Sequence, residues 1–162
     1  MKISANSGFT LIEMIVVVML LGVFAAVATP SFITYQQKAN LREAARDLAS
    51  DIALYRQRAV SENRRYRILF DQPGNSYTVQ REILNNPGNY EALVPAVTKR
   101  PYDISSAVII SADPAPSFSG GVPNITIQPR GTMGAGSVKL QHTVSLLEKT
   151  ITTNIMGRVH VD

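Results

Sequence analysis

The stretch that decides the fold is residues 8–30, GFTLIEMIVVVMLLGVFAAVATP, near the start of a chain of 162 residues. Glu13 is its one charged residue, and no residue from Met14 to Gln37 carries a charge. A helix rises about 1.5 Å per residue, so the run from Phe9 to Thr29 spans roughly 30 Å, the thickness of the hydrocarbon core of a bilayer. The stretch therefore predicts a single helix that crosses a membrane.

A cleavable secretory signal peptide is the alternative to a permanent anchor. Such a peptide has a shorter apolar region, a more basic start and small residues at its cleavage site. Residues 1–8 contain only one charge, Lys2, whereas the small residues at 25–28 could imitate a cleavage site. The length of the apolar run favours the anchor, and the signal peptide stays open as the second interpretation.

Glu13 is unusual because an ionised carboxylate inside an apolar segment costs a few kcal/mol unless a positive charge neutralises it. Its position predicts a functional partner. A simpler interpretation places Glu13 at the membrane–water interface of an ordinary anchor.

The segment Gly8-Phe9-Thr10-Leu11-Ile12-Glu13, followed directly by the apolar run, resembles the processing site of the type IV pilin family. The resemblance implies that a prepilin peptidase removes residues 1–8 as a leader, cutting after Gly8, and methylates Phe9. It also implies that Glu13 pairs with the free amine of the first residue of a neighbouring subunit. A cut on the cytoplasmic side would leave the apolar helix attached as an anchor.

Beyond Pro30 the pattern becomes amphipathic and predicts that the helix continues to about Glu62. Apolar residues recur at spacings of three and four, which places them on one helical face: Leu41, Ala45, Leu48, Ile52, Tyr55 and Ala59. The stripe predicts packing on a globular head, with a seam for a partner helix as the alternative. Since Pro30 lacks a backbone donor, it predicts either a loosened helix at 27–30 or a helix break at the membrane surface.

From Arg64 onward the sequence alternates as strands do. Residues 66–70 and 77–83 predict a hairpin around a turn at 71–75. Further short strands are predicted at 107–111, 124–128, 137–142, 150–155 and 158–161, and surface loops at 85–102 and 113–123.

No helix alternates with these strands, so the sheets should be antiparallel. The predicted fold is α+β, with a long N-terminal helix, transmembrane in its first half, packed on an antiparallel sheet or sandwich. The predicted organisation is a leader at 1–8, a transmembrane half-helix at 9–30, an amphipathic half-helix at 31–63 and a β head at 64–162.

The head resembles the branch of the family that contains GspH, the minor pseudopilin H of type II secretion, and the minor pilin FimT. The resemblance lies in residues 56–63, 125–132 and 157–161. It implies a structural subunit of a type II secretion pseudopilus or a type IV pilus-like filament. The implied location is the bacterial inner membrane with the head in the periplasm, and after assembly a periplasmic or cell-surface filament. The implied partners are other pilin or pseudopilin subunits, the prepilin peptidase, an inner-membrane assembly platform and membrane lipid.

The sequence offers little material for catalysis. It has no cysteine and only two histidines, which excludes disulfides and thiolate sites and disfavours a histidine metal site. The glycines at 131–136 lack the lysine and helix of a phosphate-binding loop, and predict a hairpin turn instead. We therefore expect no cofactor, no metal and no enzymatic activity.

DNA is the alternative partner. In FimT-like members a glycine-arginine-x-arginine motif near the C-terminus is associated with DNA binding, and Gly157-Arg158-Val159 matches it up to the fourth position, which is His160. A neutral histidine contributes little to phosphate binding, and the net charge of the chain is only +4. Arg158 and His160, joined by Lys139 or Arg130, form the predicted site. The other interpretations are a solvated basic edge, and an anchored binding module that never polymerises.

Overall fold

The computed structural model describes residues 9–162, apart from the side chains of Val27, Ala28 and Tyr102. It contains one long helix, α1 (Leu11–Ser61), a short 3-10 turn at Pro101–Asp103 and nine strands. In chain order the strands are β1 (Tyr66–Asp71), β2 (Ser76–Ile83), β3 (Asn86–Lys99), β4 (Val108–Ile110), β5 (Ser117–Phe118), β6 (Asn124–Ile127), β7 (Gly136–His142), β8 (Glu148–Thr153) and β9 (Val159–Val161). The described chain divides into an N-terminal unit that ends at Gln36 and a head, Gln37–Asp162. The predicted leader and its cleavage site at Gly8 lie outside the described residues.

The N-terminal unit is helical from Leu11 onward. It is long and apolar enough to cross a membrane, with a mean hydropathy of 2.8 over an 18-residue window in which no residue is buried. The helix continues through Pro30, so the predicted alternative of a helix break there is wrong. Next to it, the Thr29 hydroxyl donates a hydrogen bond to the Ala25 carbonyl at 2.7 Å. The loosening predicted at 27–30 stays a prediction.

In the head, α1 buries the predicted apolar stripe. All six of its residues are buried, and Ala44 is buried beside them. Charged side chains cover much of the rest of the helix, but Asp51, which lies outside the apolar stripe, is buried as well. The stripe is thus part of the core of the head, and α1 ends at Ser61, one residue before the predicted end.

The first sheet has the strand order β3-β2-β1-β6, with every pair antiparallel. Tyr66, Ile68 and Phe70 are buried and alternate with less buried neighbours, which confirms the predicted hairpin of β1 and β2. The predicted loop at 85–102 is wrong, because residues 86–99 form β3. Pro87, Gly88 and the asparagines beside them indicated a loop, but β3 pairs only with β2 in the described chain, and an edge strand tolerates proline.

The second sheet has the order β4-β7-β8-β9, and β5 also pairs with β7. β5 lies within the segment 113–123 that was predicted to be a loop. The predicted hairpin turn at 131–136 is also wrong, because it connects β6 of the first sheet to β7 of the second. A tight turn does begin this segment, where the Gln128 amide donates to the Thr132 carbonyl at 2.8 Å. A local turn pattern does not reveal which strands will pair, since pairing is decided across the fold.

Both sheets and α1 contribute to one hydrophobic core. Ile52 of α1, Ile68 of β1 and Leu140 of β7 are all fully buried in it. The predicted α+β class with antiparallel sheets is therefore confirmed.

Candidate functional site

The start of α1 is the first candidate site. The Thr10 hydroxyl accepts a hydrogen bond from the backbone N–H of Glu13 at 3.3 Å, so Thr10 caps the helix. The Glu13 side chain is exposed, and in residues 9–162 no ion pair involves its carboxylate. The backbone N–H of Glu13 is thus bound within the chain, while its carboxylate is accessible to a positively charged group from another molecule.

Phe9 immediately precedes the capping residue and is exposed. Gly8 lies outside the described residues, so the structure describes only one side of the predicted cleavage site. If the chain begins at Phe9, its amine lies one residue before the cap of α1. A positive charge there faces the positive end of the helix dipole, which disfavours it unless a carboxylate is near.

The turn between β8 and β9 forms the second candidate site. Arg158 is exposed just before β9, its backbone N–H donating to the Asn154 side chain at 2.9 Å, and His160 is exposed within β9. The fold therefore brings the two side chains together, because both line one groove. Asp162 lines the same groove, with Oδ1 2.8 Å from Nε2 of His160. That carboxylate offsets the positive charge that phosphate binding would need.

The other two predicted basic residues do not reach this groove. Lys139 pairs with Glu148, with 2.9 Å between Nζ and Oε2. Arg130 lines a different groove, together with Arg65 and Glu82. The prediction that Lys139 or Arg130 joins Arg158 and His160 is therefore wrong, because neither residue lines the groove that those two share.

Arg56 lies outside the apolar stripe of α1 and was not predicted to be a functional residue. Its Nε donates to the Gly131 carbonyl at 2.8 Å, and Nη2 lies 3.5 Å from the Met156 carbonyl. Gly131 and Gly157 both have φ of +80°, and a Cβ on Gly157 would lie 2.4 Å from Nε of Arg56 and from the Gly131 carbonyl. One guanidinium thus joins the end of α1 to both glycine turns. These are the three segments that carry the family resemblance of the head.

A polar cluster between α1 and the first sheet was also missed. The Tyr77 hydroxyl donates to the buried carboxylate of Asp51 at 2.8 Å, and Nζ of Lys99 lies 2.8 Å from the same carboxylate. Burial, the negative charge of Asp51 and the hydrogen bond to it raise the pKa of Tyr77. Partial burial lowers the pKa of Lys99, but the hydrogen bonds and charges of Asp51 and Asp47 outweigh it and raise that pKa. The cluster ties α1 to β2 and β3, and sequence spacing alone does not reveal it.

Comparison with known families matches two parts of the chain. Residues 44–157 match the family described as type II transport protein GspH, and residues 3–29 match the prokaryotic N-terminal methylation motif. The chain belongs to the GspH family. The predicted membership of the pilin-like GspH/FimT family is thereby confirmed. The chain thus combines a GspH-family head with the N-terminal methylation motif. This is the organisation of a membrane-anchored, pilin-like subunit.

Two solved structures share this fold. The minor pseudopilin EpsH from the type 2 secretion system of Vibrio cholerae has a TM-score of 0.58 at 8% identity, over 76% of this chain and 96% of that chain. The type IV minor pilin FimU of Pseudomonas aeruginosa has a TM-score of 0.56 at 16% identity, over 79% of this chain and 92% of that chain. These likenesses confirm the predicted pilin-like fold.

A curated relative matches a short region. The type IV major pilin protein PilA of Myxococcus xanthus is 46% identical over 43 residues, 26% of this chain. The matched region spans only 20% of the length of that pilin. The likeness to PilA is therefore confined to that region.

Proposed function

We propose that this GspH-family protein is a single-pass subunit of the bacterial inner membrane, with its head in the periplasm, that enters a type II secretion pseudopilus or a type IV pilus-like filament. The observation that carries the proposal is the exposed apolar surface of the N-terminal unit. The methylation-motif match at 3–29 coincides with a helix whose apolar window is entirely exposed in the single chain. Such a surface needs lipid before assembly and neighbouring subunits after it.

Processing is the first step of the proposed pathway. Prepilin peptidase cuts after Gly8 and methylates Phe9, and the inner-membrane platform then adds the subunit to the filament. The family match at 3–29 includes both residues. Mass analysis of the protein purified from its native membrane should show a chain that begins at Phe9 and carries one added methyl group. A chain that keeps residues 1–8 would contradict the pathway.

Glu13 is the proposed assembly residue. A carboxylate in an apolar environment and an amine at the positive end of a helix are each unfavourable alone, and they neutralise each other when they meet. The carboxylate of Glu13 is exposed in the single chain, which supports pairing with Phe9 of a neighbouring subunit. In a medium of low dielectric constant such a pair is strong enough to fix the register between two subunits.

Glu13→Ala tests this role. The substitution removes the carboxylate but keeps the backbone N–H that Thr10 caps, so membrane insertion should be unchanged while incorporation into filaments is lost. Filaments sheared from cells and probed for the subunit, beside a membrane fraction, measure both. Thr10→Ala is the matched control, because it removes the cap and keeps the carboxylate, and it should still assemble. Normal incorporation of Glu13→Ala would refute the proposed pairing.

DNA binding is the second candidate function, and the shared groove of Arg158 and His160 is the observation that favours it. Full-length protein in detergent, titrated with duplex DNA at several salt concentrations, tests it. If the groove binds phosphate, affinity should fall with salt and with Arg158→Ala, and should rise with Asp162→Asn, which removes the opposing carboxylate. Absence of binding at low salt would eliminate this function.

A further inference from the structure

The chain itself closes the edges of the sheets at β4 and β6. At β4, the Ile110 amide donates to Oδ1 of Asn75 at 2.8 Å, and Nδ2 of Asn75 donates to the Val108 carbonyl at 3.2 Å. At β6, the Gly134 amide donates to the Thr126 carbonyl at 3.0 Å. A side chain and a connecting segment thus occupy backbone groups that a further strand would need.

The edge at β3 is interrupted rather than closed. Its register with β2 jumps from Val97 to Ala92, so residues 93–96 bulge out of the ladder. Pro95 lies within this bulge and has no backbone N–H to donate. Bulges and prolines on an edge strand hinder pairing with another strand, so β3 is a poor acceptor for one.

The edge at β9 has neither kind of protection. In an antiparallel pair, successive residues of a strand direct their backbone groups alternately towards and away from the partner strand. The Asp162 amide donates to the Thr150 carbonyl at 3.0 Å, so Asp162 and, two residues earlier, His160 are bonded to β8. The N–H and C=O groups of Val159 and Val161 therefore face away from β8, and no hydrogen bond within the described residues engages them.

The side chains of β9 give this edge two different faces. Val159 and Val161 pack against the hydrophobic core, so one face is apolar. On the other face, Arg158, His160 and Asp162 are exposed and line the groove described above. A positive and a negative charge thus stand at the two ends of the edge. Opposite charges on adjacent strands stabilise a sheet, so these two residues select the charges of a pairing strand.

We propose that the free edge of β9 docks an extended peptide segment of a partner protein, which adds a strand to the second sheet. The segment pairs antiparallel, as the strands of this sheet do, with an acidic residue opposite Arg158 and a basic residue opposite Asp162. Backbone hydrogen bonds at Val159 and Val161 supply the affinity, and the two charges supply the selectivity. Because β9 has only three residues, the docking is weak and reversible.

A peptide fits this edge better than the phosphates of DNA do. A strand presents alternating N–H and C=O groups that match those of Val159 and Val161, whereas a phosphate backbone has only acceptors. Asp162 repels phosphate but attracts a basic side chain. The docking involves residues of the head only, and it does not require the filament assembly proposed above.

A designed peptide tests the docking. The probe is acetyl-Lys-Thr-Val-Thr-Glu-amide, whose lysine lies opposite Asp162 and whose glutamate lies opposite Arg158 in the antiparallel register. Isotope-labelled full-length protein in detergent micelles is titrated to about 10 mM peptide, since so few hydrogen bonds predict a dissociation constant of about 1 mM. Nuclear magnetic resonance should show the Val159 and Val161 amides moving downfield. Their exchange with solvent should slow about tenfold, in proportion to occupancy, whereas the His160 amide, already bonded to β8, should change little.

Two controls separate backbone pairing from charge. A peptide methylated on the backbone nitrogens of both threonines keeps every charge but loses two donors, and it should give no protection. Arg158→Ala and Asp162→Asn should each weaken binding of the unmethylated peptide about threefold, the change expected for one cross-strand ion pair. Asp162→Asn also distinguishes the ligands, because it should weaken peptide binding but strengthen any binding of duplex DNA.

Several outcomes would overturn the docking proposal. Slow exchange of the Val159 and Val161 amides in the free protein would show that the edge is already closed. An unchanged spectrum at the highest peptide concentration, or equal binding of the methylated peptide, would show that no strand is added. Protection of these amides by duplex DNA and not by the peptide would assign the groove to phosphate.

Discussion

The two parts of α1 use apolar side chains in opposite ways. In the head, Ile52 is 0% exposed and packs in the shared core, whereas Ile15 in the N-terminal unit is 45% exposed. The residue type is the same and the helix is continuous between them. The difference teaches that the head satisfies its hydrophobic surface within the chain, while the N-terminal unit depends on lipid or on other subunits.

The largest expected effect comes from the same substitution in each part. Ile52→Ala should lower the free energy of unfolding of the head by about 2–5 kcal/mol, because it removes buried apolar atoms from the core and leaves a cavity. Ile15→Ala should leave that free energy unchanged. Chemical denaturation of the full-length protein in detergent, followed by near-ultraviolet circular dichroism of the head tyrosines, measures both. A similar loss in the two variants would break the comparison.

Glycine gives a second matched pair with a smaller effect. Gly157→Ala forces φ of +80° on a residue with a Cβ and drives that atom against Arg56 and the Gly131 carbonyl, so we expect a loss of about 1–3 kcal/mol. Gly22 has no atom within 4 Å of an added Cβ and lies within the helix. Gly22→Ala should therefore leave the unfolding of the head unchanged, which the same denaturation experiment tests. An unchanged Gly157→Ala would show that the Arg56 junction is not tightly packed.

Alkaline pH should have the smallest effect, lowering the free energy of unfolding of the head by an amount on the order of 1 kcal/mol. The pKa values of Tyr77 and Lys99 are raised by the causes given above, and burial together with the Glu62 hydrogen bond raises the pKa of Tyr66 to about 12. Groups with a raised pKa in the folded state hold their proton more tightly there, so their stabilisation is complete below about pH 10 and is lost as pH rises beyond it. The melting temperature should thus fall between pH 10 and 12.

Two tyrosine variants sharpen this prediction. Tyr77→Phe removes a buried hydroxyl of the polar cluster and should make the alkaline decline shallower. Tyr35→Phe, a substitution in the N-terminal unit, should leave the decline as it is in the natural sequence. Melting curves at closely spaced pH values distinguish the variants, and identical declines in both would show that Tyr77 does not contribute.

Much of the fold was predictable because its signals are local. The stripe from Leu41 to Ala59 and the alternation of Tyr66, Ile68 and Phe70 depend only on helical and strand periodicity. β3 was missed because Pro87, Gly88 and the asparagines beside them are typical of loops, while the formation of this strand depends on the adjacent β2. The connection at 131–136 between the two sheets was predicted to be a hairpin turn for a related reason. A turn motif is a local signal, whereas the sheet that the next strand joins is decided by distant residues.

The candidate sites divide in the same way. Glu13 is conspicuous in sequence because a lone charge in an apolar run is chemically anomalous wherever it lies. Arg56 and the Asp51–Tyr77–Lys99 cluster are ordinary polar residues until the fold brings distant groups to them. The role of Asp162 was likewise not visible in the sequence. Its pairing with His160 alters the charge of a groove that the motif alone would have made basic.

The sequence by itself determined the apolar anchor, the family and the helix-then-strands order, because hydrophobicity, length and periodicity act over neighbouring residues. Only the tertiary structure decided which strands share a sheet and which guanidinium joins Gly131 to Gly157. Those outcomes depend on contacts between residues far apart in the chain, and such contacts leave no periodic trace in the sequence.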